Sequence, residues 1–172
     1  MTTFITKTTV PAASILHAAT ASASFHDAYH LALPGDRRTA LELYLATVAR
    51  TPRWVERLMT LRNRIVSRLG LKDLGQLGDF DRDKPATSYR VGDRVGIFSL
   101  AHLTDDEVIL GDSDRHLDVR VSICRIGDGV VVSTVVHVHR LLGHVYMAFV
   151  APVHRRIVPA TLRQVVPPSL AG

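Results

Sequence analysis

The chain has 172 residues, 47% of them hydrophobic and 22% charged, which suits one globular domain with its own core and excludes a disordered or fibrous protein. Its formal net charge of +5 comes without a nucleic-acid-binding fold or a clustered aromatic-basic motif, so no nucleic-acid partner is expected. The single cysteine, Cys124, excludes an intrachain disulfide framework and a cysteine-built zinc site, and it suits a reducing cytosol.

Residues 1–22 read as an N-terminal extension. Lys7 and the Ala-rich run to Ala23 imitate a secretion signal, but Pro11, Ser14 and His17 interrupt it, and no stretch reaches the roughly 20 apolar residues that span a bilayer. The expectation is a cytoplasmic protein without a membrane partner. One domain follows over 23–166, and Pro167-Pro168 opens a tail over 167–172.

Phe25 to Leu33 alternates as a first strand, with Asp27 and Tyr29 on the inward face beside Phe25, Leu31 and Leu33. Pro34-Gly35-Asp36 ends it. Thr39 to Ala49 has helical spacing, and Thr51-Pro52 provides an N-cap and first-turn proline for a second helix, running to about Leu69 and stopped by Gly70. On that helix Arg53, Arg57, Arg64 and Arg68 form a solvated stripe opposite Trp54, Val55, Leu58, Leu61, Ile65, Val66 and Leu69. Arg62 falls within the apolar arc, where a guanidinium must find a partner or snorkel out. Residues 71–88 have no period and read as a loop at a natural pocket mouth. Val95–Leu103 and Glu107–Gly111 form two strands around Thr104-Asp105-Asp106.

The clearest pattern starts at His116. Leu117, Val119, Val121 and Ile123 alternate with polar residues up to Gly127-Asp128, a good two-residue hairpin turn. Opposing Ile126 and Gly129 sets Leu117 against Val138, Val119 against Val136, Val121 against Thr134 and Ile123 against Val132 on an apolar face. The other face then pairs His116 with His139, Asp118 with His137 and Ser122 with Ser133. A third strand is predicted over Gly143–Phe149, with Val145, Met147 and Phe149 on the apolar face and His144 and Tyr146 on the polar one, giving about six strands. The last element is a helix from Pro152 to Val166, kinked at Pro159, with His154 and Thr161 inside its apolar arc. This order is that of the α+β helix-grip fold: a curved antiparallel sheet wrapped around a C-terminal helix, with two helices inserted after the first strand.

Phe25-His26-Asp27-Ala28-Tyr29, Leu61-Arg62-Asn63, Asp106-Glu107-Val108-Ile109-Leu110-Gly111, His116-Leu117-Asp118-Val119-Arg120 and Pro152-Val153-His154 resemble the bacterial domain-of-unknown-function 2867 family over nearly the whole chain. The resemblance implies a fold similar to the START and birch-allergen proteins. Some relatives carry this domain behind an NAD(P)-binding, dehydrogenase-like domain, which makes a separate NAD(P)-dependent dehydrogenase a candidate partner here. The family has no settled activity.

Two constellations can carry chemistry. Asp27, Tyr29, Arg62, Thr134, His154 and Thr161 are each placed inward by separate periods, and small-molecule sites are mostly apolar cavities with a few fixed polar groups. Arg62 would clamp a ligand carboxylate or phosphate, or pair with Asp27 in the empty pocket, while His154 would polarise the ligand or move a proton. The same groups serve equally as a structural network locking helix to sheet. The expected function is binding of a small, partly apolar, anionic metabolite, with no cofactor. The alternative is an enzyme of cyclase, hydrolase or isomerase type with His154 and Asp27 as catalytic residues. The second constellation is the polar strand face, His116, Asp118, His137 and His139, extended by His144. It reads either as a metal site or as a solvent-facing or homodimer-facing surface.

Overall fold

The computed structural model describes residues 5–68 and 75–165; Leu69, Gly70 and the tail over 167–172 lie outside them, as does the side chain of Val66. Seven strands, β1 (Ile5–Thr8), β2 (Phe25–Ala32), β3 (Arg94–Val95), β4 (Phe98–Leu103), β5 (Glu107–Ser113), β6 (Leu117–Ile126) and β7 (Gly129–Val138), form one curved antiparallel sheet. Their order is β1-β2-β7-β6-β5-β4-β3. Helices α1 (Ala40–Ala49) and α2 (Arg53–Arg68) follow β2, and α3 (Leu141–Leu162) closes the chain. This is the helix-grip arrangement.

The β6–β7 hairpin has the predicted register at every pair, from Leu117↔Val138 to Ile126↔Gly129. Gly127, with φ of +53°, takes the first turn position, and Asp128 has a negative φ, the type II′ pattern that matches strand twist. α1 begins with a capping box in which the Thr39 hydroxyl accepts from the Glu42 N–H and the Glu42 carboxylate accepts from the Thr39 N–H. The Thr51 hydroxyl donates to the Val48 carbonyl, so it closes the end of α1 instead of capping α2.

The predicted strand over Gly143–Phe149 is helical: these residues form the first half of α3, which runs on through Pro152 and Pro159. Leu141, Val145, Phe149 and Val153 recur every four residues, and Leu, Met and Ala favour a helix, so the short alternation around Tyr146 was a coincidence of period. Gly143 permits the packing. It is buried, and an added Cβ would stand 2.7 Å from the His116 carbonyl oxygen.

Both sheet faces carry core. On the concave face Leu31, Tyr29, Val108, Leu110, Ile123 and Val130 pack under α1 and the C-terminal half of α3. On the convex face Ala28, Ile109, Val131 and Val135 are covered by Val10, Leu16 and flanking alanines of the N-terminal segment. The residues read as an extension therefore supply an edge strand and a lid for the outer face. A buried carboxylate fastens that lid: Glu107 accepts Ser14 Oγ at 2.5 Å, Ser122 Oγ at 2.6 Å and the Ile15 N–H at 3.1 Å.

Cys124 lies on this covered face opposite Glu107, and burial, followed by the nearby Glu107 and Asp106 charges, pushes its thiol up to about 11. Cys124 is expected to resist a thiol reagent at pH 8 by at least about 100-fold relative to the unfolded chain, because the thiolate is the reactive form. Timed Ellman's labelling with and without urea checks this; fast labelling in buffer would show that the N-terminal cover opens readily.

Candidate functional site

Strand period and helical arc together deliver Asp27, Thr134 and His154 to one place. Asp27 and Thr134 are direct partners across β2 and β7. α3 crosses above them and sets His154 Nδ1 3.2 Å from Asp27 Oδ2, with Nε2 3.5 Å from Thr134 Oγ1. With the proton on Nδ1, the ring donates to Asp27 and accepts from the Thr134 hydroxyl. The Asp27 side chain is only 2% exposed and that of His154 23%, so the carboxylate is interior and the imidazole reaches the opening. Phe25 meets the His154 ring edge-on at 5.9 Å between centroids, and the Arg155 guanidinium lies over Phe25. Asp27 Oδ1 is buried and has no hydrogen-bond partner among the described residues.

The other predicted members are placed differently. Tyr29 is buried one inward position further along β2, where its hydroxyl donates to the Arg155 carbonyl at 3.4 Å. Burial and then the Asp27 charge raise the Tyr29 pKa above the usual phenol value. Thr161 is buried, but its hydroxyl donates back to the Ile157 and Val158 carbonyls of its own helix. The expected pairing of Arg62 with Asp27 is replaced by contacts with α3 and its own neighbour: Nε donates to the Tyr146 hydroxyl at 3.1 Å, the guanidinium stacks over the Tyr146 ring, and Nη1 donates to Asn63 Oδ1. Tyr146 is eight residues, or about 12 Å of helix, before His154. Arg62 and His154 thus stand about two turns apart along α3.

Between them the concave face changes character. Ile123 and Val130 are buried near the hairpin turn, with Val132 half-buried between the strands there, whereas toward the strand ends Leu117, Val119, Val121 and Val138 are half-buried around a buried Val136. His154 sits at this boundary between closed core and open grip.

The connectivity Asp27–His154–Thr134 copies that of a nucleophilic triad, but the chemistry does not fit. Thr134 is 2% exposed in mid-strand, leaving no approach for a substrate carbonyl, and its backbone lies in the regular β2–β7–β6 ladder instead of a strained nucleophile turn. The arrangement can orient one imidazole and present it to a small molecule.

The polar strand face behaves as a set of separate pairs. Asp118 and His137 are register partners as predicted, yet Asp118 accepts the Ser113 hydroxyl and binds His139 Nε2 at 2.9 Å, and the first of these above all holds its carboxyl below the usual range. His137 contacts Ser22, and His116 accepts from Arg115 Nε. His144 is on α3 and exposed. Among the described residues no three His, Cys, Asp or Glu side chains are grouped to hold a metal ion.

Sequence reasoning missed the Ser14–Glu107–Ser122 cluster and the partnership of Arg62 with Tyr146. Ser122, Ser133, Val131 and Val135 on the nominally polar face were a legible sign that this face is covered. Arg53, Arg57 and Arg82, with Glu56 and Asp79, line an open depression of about 590 Å³ in which two carboxylates offset two of the three cations.

A family model described as Protein of unknown function (DUF2867) matches residues 19–161. The chain belongs to the DUF2867 family. The match takes in both Asp27 and His154, together with Arg62 and the whole β6–β7 hairpin, so the candidate site lies within the DUF2867 domain. No curated protein and no solved structure is matched.

Proposed function

We propose that this DUF2867 protein binds a small, partly apolar, anionic metabolite at the open end of the grip, between α3 and the half-buried apolar strand ends. The observation that carries this reading is a part-exposed His154 held in one orientation by the buried Asp27. Asp27 is sealed beneath the ring, so it acts on the ligand only through His154, holding Nδ1 and turning the part-exposed imidazole outward. His154 then contacts the polar centre of the ligand. Arg62, held by Tyr146 and Asn63 about two turns away along α3, is the anchor for the anionic group, and a planar guanidinium suits a carboxylate or phosphate.

Native mass spectrometry of gently purified protein, set against its denatured mass, tests the reading. The expected result is an organic mass lost on denaturation, with retention reduced at least about tenfold in Arg62→Ala and in His154→Ala, since each removes a charge-assisted or polar contact of about 1.5 kcal/mol or more. A bare chain mass, together with no thermal stabilisation by a panel of hydroxy and amino carboxylates, would rule the proposal out.

A further inference from the structure

The apolar arc of α2 does not go where such an arc ordinarily goes. Opposite an arginine stripe it should meet the core, and Val55 does so, yet Trp54, Leu61 and Ile65 face solvent, with Leu61 53% exposed and Trp54 42%. The first half of α3 repeats this: Leu141 is 80% exposed and Phe149 76%, with Val145 and Val153 beside them at four-residue spacing. The Arg62–Tyr146 contact joins the two helices. Leu61 and Ile65 lie one residue and one turn from Arg62, and Val145 and Phe149 are placed in the same way about Tyr146, so these four exposed side chains flank the junction of the two helices.

The charge around this patch is mainly positive. α2 carries five arginines against one glutamate, with Glu56 and Asp79 beside Arg53 and Arg57 at one end, and α3 before Pro152 carries no Asp or Glu. A second copy of the chain would bring like charges together, which disfavours self-association through this face. The occupant must be anionic and must accept protruding apolar side chains. A partner groove for a helix holds its anchors half-buried in a floor, whereas Phe149 and Leu141 project outward. Strong amphipathicity, with arginine on the polar flank and Trp and Leu on the apolar one, is the mark of a helix that lies in a membrane interface, and α2 has it, while α3 adds the exposed Leu141 and Phe149 beside it. Among the described residues no helix is long and apolar enough to cross a membrane, so the contact is one of lying on the surface.

We infer that α2 and the first half of α3 form a docking surface for an anionic lipid bilayer, with Trp54, Leu61, Ile65 and Phe149 entering the interface and Arg57, Arg64 and Arg68 facing the headgroups. The sequence alone suggested no membrane partner, because it showed no spanning segment; what it did not reveal is that these apolar side chains stay uncovered.

Trp54 is the only tryptophan, so its emission reports on the patch directly. The protein is titrated with vesicles of equal parts phosphatidylcholine and phosphatidylglycerol, and with pure phosphatidylcholine vesicles, and bound protein is separated by flotation. The expected result is a blue shift of Trp54 and binding at least about tenfold tighter to the anionic vesicles, weakening with added salt. Arg57→Ala and Arg64→Ala should each weaken it about fivefold. Leu61→Asp combined with Phe149→Asp should abolish it; both positions are exposed, and an unchanged thermal melt confirms the fold. His154→Ala should bind vesicles normally, which separates this inference from the ligand site. Absence of binding to either vesicle, equal binding to both, or a lipid-free blue shift that follows a concentration-dependent dimer would each overturn it. Recovery of binding only with an acidic amphipathic peptide would do the same.

Discussion

Glu107→Ala should lower the unfolding free energy by about 3 kcal/mol, more than any other single polar truncation away from the candidate site. The Glu107 side chain accepts from three donors in two distant parts of the chain: Ser14 Oγ and the Ile15 N–H from the N-terminal cover, and Ser122 Oγ from β6, with Ser14 Oγ also 3.4 Å from Ser122 Oγ. Alanine leaves all three in a region where Ser14 is 4% exposed and Ser122 fully buried, so water cannot replace the carboxylate. Ser14→Ala and Ser122→Ala each remove one donor and leave the carboxylate its other partners, so each should cost nearer to 1 kcal/mol. In a chain of 172 residues a 3 kcal/mol loss appears as a fall in Tm of roughly 6–12 °C. Urea melts of the three variants check the ranking. Cys124, which pairs with Glu107 across β5 and β6, provides a local readout: if the cover is loosened, its labelling in buffer speeds up in Glu107→Ala. A loss below about 1 kcal/mol with unchanged labelling would mean that apolar packing of Val10 and Leu16 alone holds the cover.

The parts of this fold that were legible are those where two independent periods agree. Alternation in β6, alternation in β7 and a turn of fixed length leave one register for the hairpin, and it is the register observed. Asp27 and His154 were placed inward by a strand period and by a helical arc, and the fold brings them within hydrogen-bond distance. What stayed hidden depends on contacts that leave no periodic trace. β1 is four residues with a single apolar side chain, and it joins the sheet by backbone pairing, to which its side chains contribute little pattern. The convex face read as polar because Asp118, Arg120 and Ser122 interrupt it, although Ser122 and Ser133 are small enough to be buried once a covering segment arrives. The error over Gly143–Phe149 propagates: with Tyr146 read as a strand residue, Arg62 has no aromatic partner in view, which leaves a ligand anion or, in the empty pocket, Asp27.

Gly143→Ala is the substitution that decides whether α3 is seated on the sheet as described. In an unconstrained helix alanine is favoured over glycine by about 1 kcal/mol. Here the new methyl would stand 2.7 Å from the His116 carbonyl oxygen and 2.8 Å from Val138 Cγ1. The valine can rotate, but the carbonyl accepts the His139 N–H at 2.8 Å and belongs to the end of the β6–β7 ladder, so the helix has to lift instead. Overpacking of this kind costs up to about 3 kcal/mol, which leaves a net destabilisation of about 2 kcal/mol after the helix gain. The sign is therefore the test. A stabilised alanine variant would mean that the first turn of α3 stands clear of His116, and Tyr146 would lose the support that lets it hold Arg62. A destabilised one whose ligand retention also falls would show that the seating of this turn positions the far end of the grip, because Gly143 lies one turn before Tyr146 and three turns before His154 on the same helix.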